Sequence, residues 1–300
     1  MNEHTNTKCG MISFVGRPNV GKSTLANALA GEKIAIVSNK PQTTRNRIRA
    51  IVNRGDTQII LVDTPGFHKP KTKLDDYMTK IVKESVADTD AVLLMIEPVA
   101  EPGEQELALI ERIKACRCPA VLVINKIDTV PKELLLAVIA AYTQLFDFDA
   151  VLPISARNAQ GLDELLTQLE KYAAPGPKLF PEDMTTDQPD RQVCAEIVRE
   201  KLLYCLDKEI PHGTAVVVTK FSEREETEII DLDVTIYCEK ESHKGIIIGK
   251  NGAMLKKIGE LSRKDIERFM GTKVYLRTWV KVKDNWRDND ALIRNFGYKD

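Results

Sequence analysis

Residues 16–23, Gly16-Arg-Pro-Asn-Val-Gly21-Lys22-Ser23, carry the spacing G-x-x-x-x-G-K-[ST]. Glycines at those places let the backbone curl until the amides of Gly16, Asn19, Val20, Gly21, Lys22, Ser23 and Thr24 face one point. The start of a following helix adds its own unpaired N–H groups. Such a cradle suits a chain of phosphates, with Lys22 reaching the β- and γ-phosphates and the Ser23 hydroxyl on Mg2+. Asp63-Thr-Pro-Gly66 follows an apolar run. Asp63 there can hold Mg2+ through water and the Gly66 N–H can sense a γ-phosphate, although the same four residues alone also signal a plain turn. Residues 33–45 end in Pro41-Gln-Thr43-Thr44. A threonine in this segment can reach the same ion when a γ-phosphate is present, ordering the loop; Thr44 is the first choice and Thr43 the alternate. Lys22, Thr44 and Gly66, together with Asn19, are the candidates for promoting hydrolysis.

A second group selects the base. Asn125-Lys126-Ile-Asp128 follows another apolar run. The Asp128 carboxylate can accept from both N1–H and the exocyclic amine of guanine. Adenine offers no such donor pair and would leave the carboxylate unpaired. Ser155-Ala156 follows the next run, where a main-chain N–H can meet the guanine O6. GTP and GDP are the expected ligands. A metabolic P-loop kinase or ATPase is the alternative that Asn-Lys-Ile-Asp argues against.

The elements that must position these groups can be read from hydrophobic pattern. Apolar runs at 11–15, 47–53, 58–63, 91–96, 120–125 and 150–155 read as strands. Helical patterns fall at 22–29, 74–87, 102–116, 131–145 and 162–172. The run 91–96 is apolar on both faces, as in a strand covered by helices above and below. Strand and helix in alternation predict a mostly parallel α/β sheet with helices on both faces. Five prolines or glycines at 175, 176, 177, 181 and 189 then break the pattern, and 174–191 reads as a proline-rich linker. The chain thus divides into 1–173, the linker, and 192–300. In the last part a helix (192–206), two strands (214–221 and 229–239), a Gly-rich turn, a helix (253–269), a strand (273–282) and a polar helical tail follow.

Composition bounds the possibilities. The 300 residues, 43% hydrophobic and 29% charged with net charge −1, are those of an ordinary folded chain of about two domains. Residues 241–300 hold 14 Lys+Arg against 8 Asp+Glu, a local surplus of +6, which fits either a polyanion partner or a solvated basic face. Cys116 and Cys118 form a lone Cys-x-Cys without a second pair at metal spacing, so the six cysteines read as thiols in a reducing, cytoplasmic setting. The polar first eight residues resemble neither a signal nor a transit peptide. No apolar run approaches the roughly 18 residues that span a bilayer. His4, His68, His212 and His243 show no ligand spacing.

Residues 10–172 resemble the translation-factor-related GTPases, with all five of that superfamily's loops in order. Asn19 within Gly-Arg-Pro-Asn-Val-Gly-Lys-Ser-Thr resembles the potassium-stimulated branch; the resemblance implies that Asn19 helps hold K+ beside the phosphates, and the alternative is loop stabilisation. Phe67 stands where Ras-like proteins place a water-orienting glutamine, which implies slow intrinsic hydrolysis aided by a cation or a partner. Gly245-Ile-Ile-Ile-Gly249-Lys250-Asn251-Gly252 is not a second phosphate loop: the spacing is one residue short and Asn251 replaces Ser/Thr. Between two helices it resembles the Gly-x-x-Gly turn of a KH domain, an α+β module of type II order. There Gly249 and Gly252 let a nucleic-acid backbone come close, Ile246 and Ile248 line or support the base groove, and Lys250, Asn251, Lys256 and Lys257 flank it. Arg263 and Lys264 add charge nearby. Single-stranded RNA rather than DNA is the expected ligand; a protein-binding domain is the alternative. Tyr275, Trp279 and Trp286 could stack on bases, while core packing accounts for Tyr275 and Trp279 equally well.

A Ras-like GTPase domain joined to one KH domain resembles the Era-type bacterial GTPases across nearly the whole chain. That resemblance implies binding near the 3′ end of small-subunit ribosomal RNA, a role in maturing the small ribosomal subunit, and peripheral contact with the cell membrane.

Overall fold

The computed structural model describes residues 7–67, 70–225 and 227–298; His4 and His68 lie outside them. The chain forms two compact units. The first comprises Met1–Ala35, Thr44–Lys69 and Met78–Asp187, and the second Ile36–Thr43, Pro70–Tyr77 and Gln188–Asp300.

In the first unit the order is β1 (Lys8–Gly16), α1 (Lys22–Ala30), β2 (Ile48–Arg54), β3 (Thr57–Asp63), the part of α2 (Lys73–Ala87) from Met78 onward, β4 (Ala91–Ile96), α3 (Glu104–Cys116), β5 (Ala120–Ile124), α4 (Lys132–Thr143), β6 (Ala150–Pro153) and α5 (Leu162–Leu169). The strands lie in the order β2-β3-β1-β4-β5-β6. All neighbours are parallel except β2, which runs antiparallel to β3. Every side chain of β4 is buried. One core, with Ile12, Phe14, Leu25 and Leu93, fills one face of the sheet; another, with Val15, Leu94, Ile110 and Leu122, fills the other. This is the doubly covered sheet that continuous apolar strands require. Strands β5 and β6 end before Asn125 and Ser155, because those residues leave the ladder to carry the site. The last predicted helix tightens into a 3-10 turn at Glu170–Tyr172.

The proline-rich stretch is built largely into this unit rather than left as a connector. The short strand β7 (Ala174–Pro175) pairs antiparallel with the start of β1. Ile51 N–H donates to Thr185 O at 2.8 Å, and the buried Gln58 accepts from the amides of Leu179 and Phe180 at 2.8 and 3.0 Å. The stretch thereby covers the open edge of β2, whose main-chain groups would otherwise be unpaired. The thiol expectation is corrected at Cys116 and Cys118, which are joined by a disulfide with Cα atoms 5.4 Å apart. Arg117 between them is left-handed (φ 55°, ψ 22°) at the end of α3, and that reversal brings the two sulfurs together. Cys9, Cys194, Cys205 and Cys238 are free, and burial pushes the Cys194 thiol up to about 12.

The second unit contains α6 (Asp190–Cys205), β8 (Ala215–Glu223), β9 (Ile230–Cys238), α7 (Glu241–Ile248), α8 (Ala253–Met270), β10 (Val274–Val282) and α9 (Asp290–Asn295). Its sheet runs β10-β9-β8, with β10 parallel and β8 antiparallel to β9. The three longer helices α6, α7 and α8 pack on one face through Val198, Leu202, Ile247, Ile258 and Ile266 against Leu232, Val234 and Ile236. Arg199 of α6 is fully buried in the same unit and donates to the carbonyls of Gln42 (3.3 Å) and Thr43.

Candidate nucleotide and nucleic-acid sites

The residues expected to face a nucleotide gather at the carboxyl end of the parallel strands, where an open α/β sheet receives its ligand: Gly16 and Asp63 end β1 and β3, Asn125 and Ser155 lie just beyond β5 and β6, and Thr44 precedes β2. Lys22, at the first turn of α1, is 6% exposed, and its ammonium donates to the carbonyls of Gly16 (3.1 Å) and Arg17 (3.0 Å). Burial lowers its pKa to about 8, against the opposing pull of Asp63. Ser23 Oγ donates to Asp63 Oδ2 at 2.6 Å and lies 2.8 Å from Thr44 Oγ1. Thr43 instead turns its hydroxyl to the carbonyl of Lys40 at 2.6 Å. Asp63 is fully buried, and its Oδ1 has no hydrogen-bond partner among the described residues. Burial pushes its carboxyl above the ordinary range, opposed by Lys22 and by the Ser23 and Thr44 hydroxyls. A carboxylate oxygen left bare beside two hydroxyls is a hard, all-oxygen donor set, which fits Mg2+.

Gly66 permits the Asp63–Gly66 turn to close on the phosphate loop. A Cβ there would stand 2.7 Å from Pro18 Cα. Phe67, whose N–H donates to Gly16 O at 3.2 Å, points its ring into the second core beneath the Arg112 guanidinium, 4.3 Å from the ring centroid.

The loops expected to select the base are tied together by Asn125. Its Nδ2 donates to Val20 O at 2.8 Å, and its Oδ1 accepts from the Ala156 N–H at 2.9 Å. Of the two amides expected to offer an N–H to guanine O6, that of Ala156 donates to Asn125 and that of Ser155 to the Gln160 carbonyl at 3.1 Å. Asp128 accepts from Ser155 Oγ at 2.7 Å, which aims the carboxylate. Lys126 donates to Asn19 O at 2.7 Å and pairs with Glu97. Asn19 itself is left-handed (φ 67°) in the loop. Sequence reasoning missed Glu97, which also meets Arg17 at 3.8 Å, and Glu106, which pairs with Arg17 from within α3. Glu97 is the first residue after β4 and Asp63 the last of β3; an acidic residue at the carboxyl end of a strand was the available signal.

In the second unit, α7 ends at Ile248 and the chain passes through Gly249 (φ 72°) and Gly252 (φ 78°) into α8. Asn251 is left-handed as well (φ 51°), and Lys250 is exposed. A Cβ at Gly252 would meet nothing within 4 Å, so the turn is open on that side; at Gly249 it would lie 2.7 Å from Met254 Cβ. Ile246 is exposed, Ile248 half-buried and Ile247 in the core. A groove of about 430 Å³ runs from Gly252 between α8 and β10, lined by Leu255, Lys256, Gly259, Glu260, Arg263, Leu276 and Thr278. Lys257 and Lys264 are exposed on α8. Leu255, Gly259, Leu276 and Thr278 were not legible as groove residues, because only the packing of α8 on β10 brings them together. Trp286 is fully buried, donating Nε1–H to Gly213 O at 2.9 Å, so it is a core residue.

Residues 11–126 match the 50S ribosome-binding GTPase family and residues 209–287 match the KH domain family. The chain is 51% identical over 292 residues to GTPase Era of Ruminiclostridium cellulolyticum, covering 97% of this chain and 98% of that one. The chain belongs to the Era family of GTPases. Another Era, from Caldanaerobacter subterraneus, is 48% identical over 97% of this chain and 98% of its own length. Among solved structures, Aquifex aeolicus Era bound to GDP and aluminium fluoride superposes with TM-score 0.93 at 38% identity, covering 97% of this chain and 99% of that one. An Era in complex with MgGDPNP and nucleotides 1506–1542 of 16S ribosomal RNA matches equally, with TM-score 0.93 and 38% identity over the same shares. Membership of the Era family sets aside the kinase and ATPase alternatives. Among the described residues no helix is long and apolar enough to cross a membrane.

Proposed function

We propose that this Era-family GTPase is a GTP-controlled RNA-binding switch acting on the small ribosomal subunit near the 3′ end of its RNA. The observation that carries the reading is the convergence of Ser23, Thr44 and the bare oxygen of Asp63 in one unit, in a chain that also holds an open Gly-x-x-Gly turn beside a groove. The ribosomal RNA complex of the related Era supports the choice of RNA.

Lys22 and the amides of residues 16–24 bind the triphosphate, and Asp128, aimed by Ser155, reads guanine. Ser23, Thr44 and Asp63 would hold Mg2+, which supplies charge neutralisation at the β- and γ-phosphates. Asn19 would assist K+ at the same phosphates. Phe67 is turned away beneath Arg112, and no glutamine stands there to orient water, so unassisted hydrolysis is slow. Thr44 and Gly66 report the γ-phosphate, and the loops that contain them pass that state to the RNA groove. Gly249, Gly252, Ile246, Ile248, Lys250, Asn251, Lys256 and Lys257 form the RNA contact. The protein works in the cytoplasm, with peripheral contact at the inner face of the cell membrane.

The test is the affinity for the ribosomal RNA fragment 1506–1542, measured with a non-hydrolysable GTP analogue and with GDP. A difference of several-fold supports the switch; equal affinities remove it.

A further inference from the structure

The second unit has two faces to its sheet, and the groove uses only one. Along β10, Leu276 and Thr278 line the groove on the helix side. Their neighbours Tyr275, Arg277, Trp279 and Lys281 alternate with them, so they face the other way. Part of that other face is covered: Phe296 stacks on Tyr237 at 4.4 Å and Trp286 packs against Phe296 at 5.4 Å. The rest is open. Tyr275 is 52% and Trp279 41% exposed, among the largest exposed apolar groups described.

These rings sit in an ordered lattice of charge. Arg277 lies 5.8 Å from the Tyr275 centroid and 5.5 Å from that of Trp279, and Arg224 lies 5.5 Å from Tyr275. Both guanidiniums are held by aspartates on β9. Arg277 makes a two-pronged bond to Asp233 at 2.7 and 2.8 Å, and Arg224 reaches Asp231 at 3.0 and 2.6 Å. Arg224, Arg277, Lys220 and Lys281 against Asp231 and Asp233 leave the open patch positive. Ring, cation, ring, cation at a two-residue repeat puts Tyr275 and Trp279 about 13 Å apart. Aromatic faces joined to a positive field are what binds single-stranded nucleic acid through stacking and phosphate attraction. An acidic or purely apolar protein partner would use the charge or the rings but not their alternation. Strand β10 is also the edge of its sheet, so a strand of RNA leaving the groove meets this face by passing over one strand.

We propose that the open face carrying Tyr275, Arg277, Trp279 and Lys281 is a second RNA-binding surface, on which the two rings stack unpaired bases. This rests on the RNA reading of the groove. The experiment uses the full chain and the RNA fragment 1506–1542, carrying 4-thiouridine for crosslinking. In the unaltered protein, RNA is expected to quench Trp279 emission, since the other tryptophan is buried, and to crosslink to Tyr275 or Trp279. Tyr275→Ala with Trp279→Ala is expected to weaken binding about tenfold or more; Tyr275→Phe with Trp279→Phe is expected to restore it. Gly252→Asp should remove crosslinks at residues 246–257 yet leave quenching of Trp279 at high RNA concentration. Crosslinks confined to residues 246–257, with no quenching and unchanged affinity in the double alanine variant, would overturn this surface and leave the groove intact. Failure of the unaltered protein to bind the fragment would sink both. Unchanged RNA affinity with lost co-sedimentation with small subunits would assign the face to a protein and overturn the proposal.

Discussion

Ser23 Oγ donates to Asp63 Oδ2 across 2.6 Å, while the other oxygen of that carboxylate is buried without a partner. The pair is the core of the proposed Mg2+ site: one hydroxyl and one bare oxygen, with Thr44 2.8 Å from the hydroxyl. Ser23→Ala is expected to lower Mg2+-dependent affinity for both GTP and GDP by about tenfold or more. Thr44→Ala should spare GDP and weaken only the triphosphate. Fluorescent-nucleotide titrations with and without Mg2+ separate the two, and equal losses for GDP and GTP in Thr44→Ala would contradict its role.

Asn125 and Asp128 should fail differently. Asn125→Ala removes bonds to Val20 and Ala156 and so loosens the site without touching the base. Guanine and other purine nucleotides should lose affinity alike. Asp128→Asn replaces a double acceptor by a group that also donates, which suits the 2-oxo group of xanthine. Preference should move from GTP toward XTP by roughly 10²-fold or more, read by competition binding.

Lys22 links nucleotide binding to pH. Its pKa in the structure is about 8, and a bound triphosphate favours the charged ammonium. Below pH 8 the lysine is already charged and binding takes up little proton at this group. Above pH 8 it is largely neutral, so binding must take up toward one proton and affinity falls as pH rises. Calorimetry in buffers of different ionisation enthalpy at pH 7 and pH 9 measures this; equal proton uptake at the two would refute it.

Gly249 and Gly252 both have positive φ, Gly252 in the left-handed helical region (ψ 7°) and Gly249 with an extended ψ of 174°, and they differ in surroundings. Gly252→Ala meets open space, so its cost in stability is the backbone strain alone, about 1–2 kcal/mol. Gly249→Ala adds a clash with Met254, 2.7 Å away, and should cost clearly more. Thermal denaturation ranks them, and a smaller loss at Gly249 would show that Met254 yields freely.

Arg199 is buried with two carbonyls, Gln42 and Thr43, and with Glu196 at 2.9 Å. Arg199→Met leaves those acceptors without their donor and Glu196 without its counter-charge. A loss of about 3–5 kcal/mol is expected, with faster amide exchange at residues 36–43. Unaltered exchange there would mean that the segment is held by other contacts.

The order of loops along the chain determined the chemistry. A phosphate cradle, an aspartate at a strand end and Asn-Lys-Ile-Asp each need only short-range geometry, because strand, turn and helix start place their residues within one turn of chain. The alternation of apolar runs likewise determined the parallel sheet, and a Gly-x-x-Gly turn between helices determined the KH-like module. Tertiary structure alone decided what depends on meetings across long separations. It distinguished Thr44 from Thr43, since only packing tells which hydroxyl faces Ser23. It gave Asn125 its bracketing bonds and engaged the Ala156 amide. It turned a proline-rich stretch into edge cover for β2, because an open strand edge takes whatever main chain can pair with it. It also joined Cys116 to Cys118 and buried Trp286 while leaving Tyr275 and Trp279 exposed. Residue type states what a side chain can do; only the fold states what it faces.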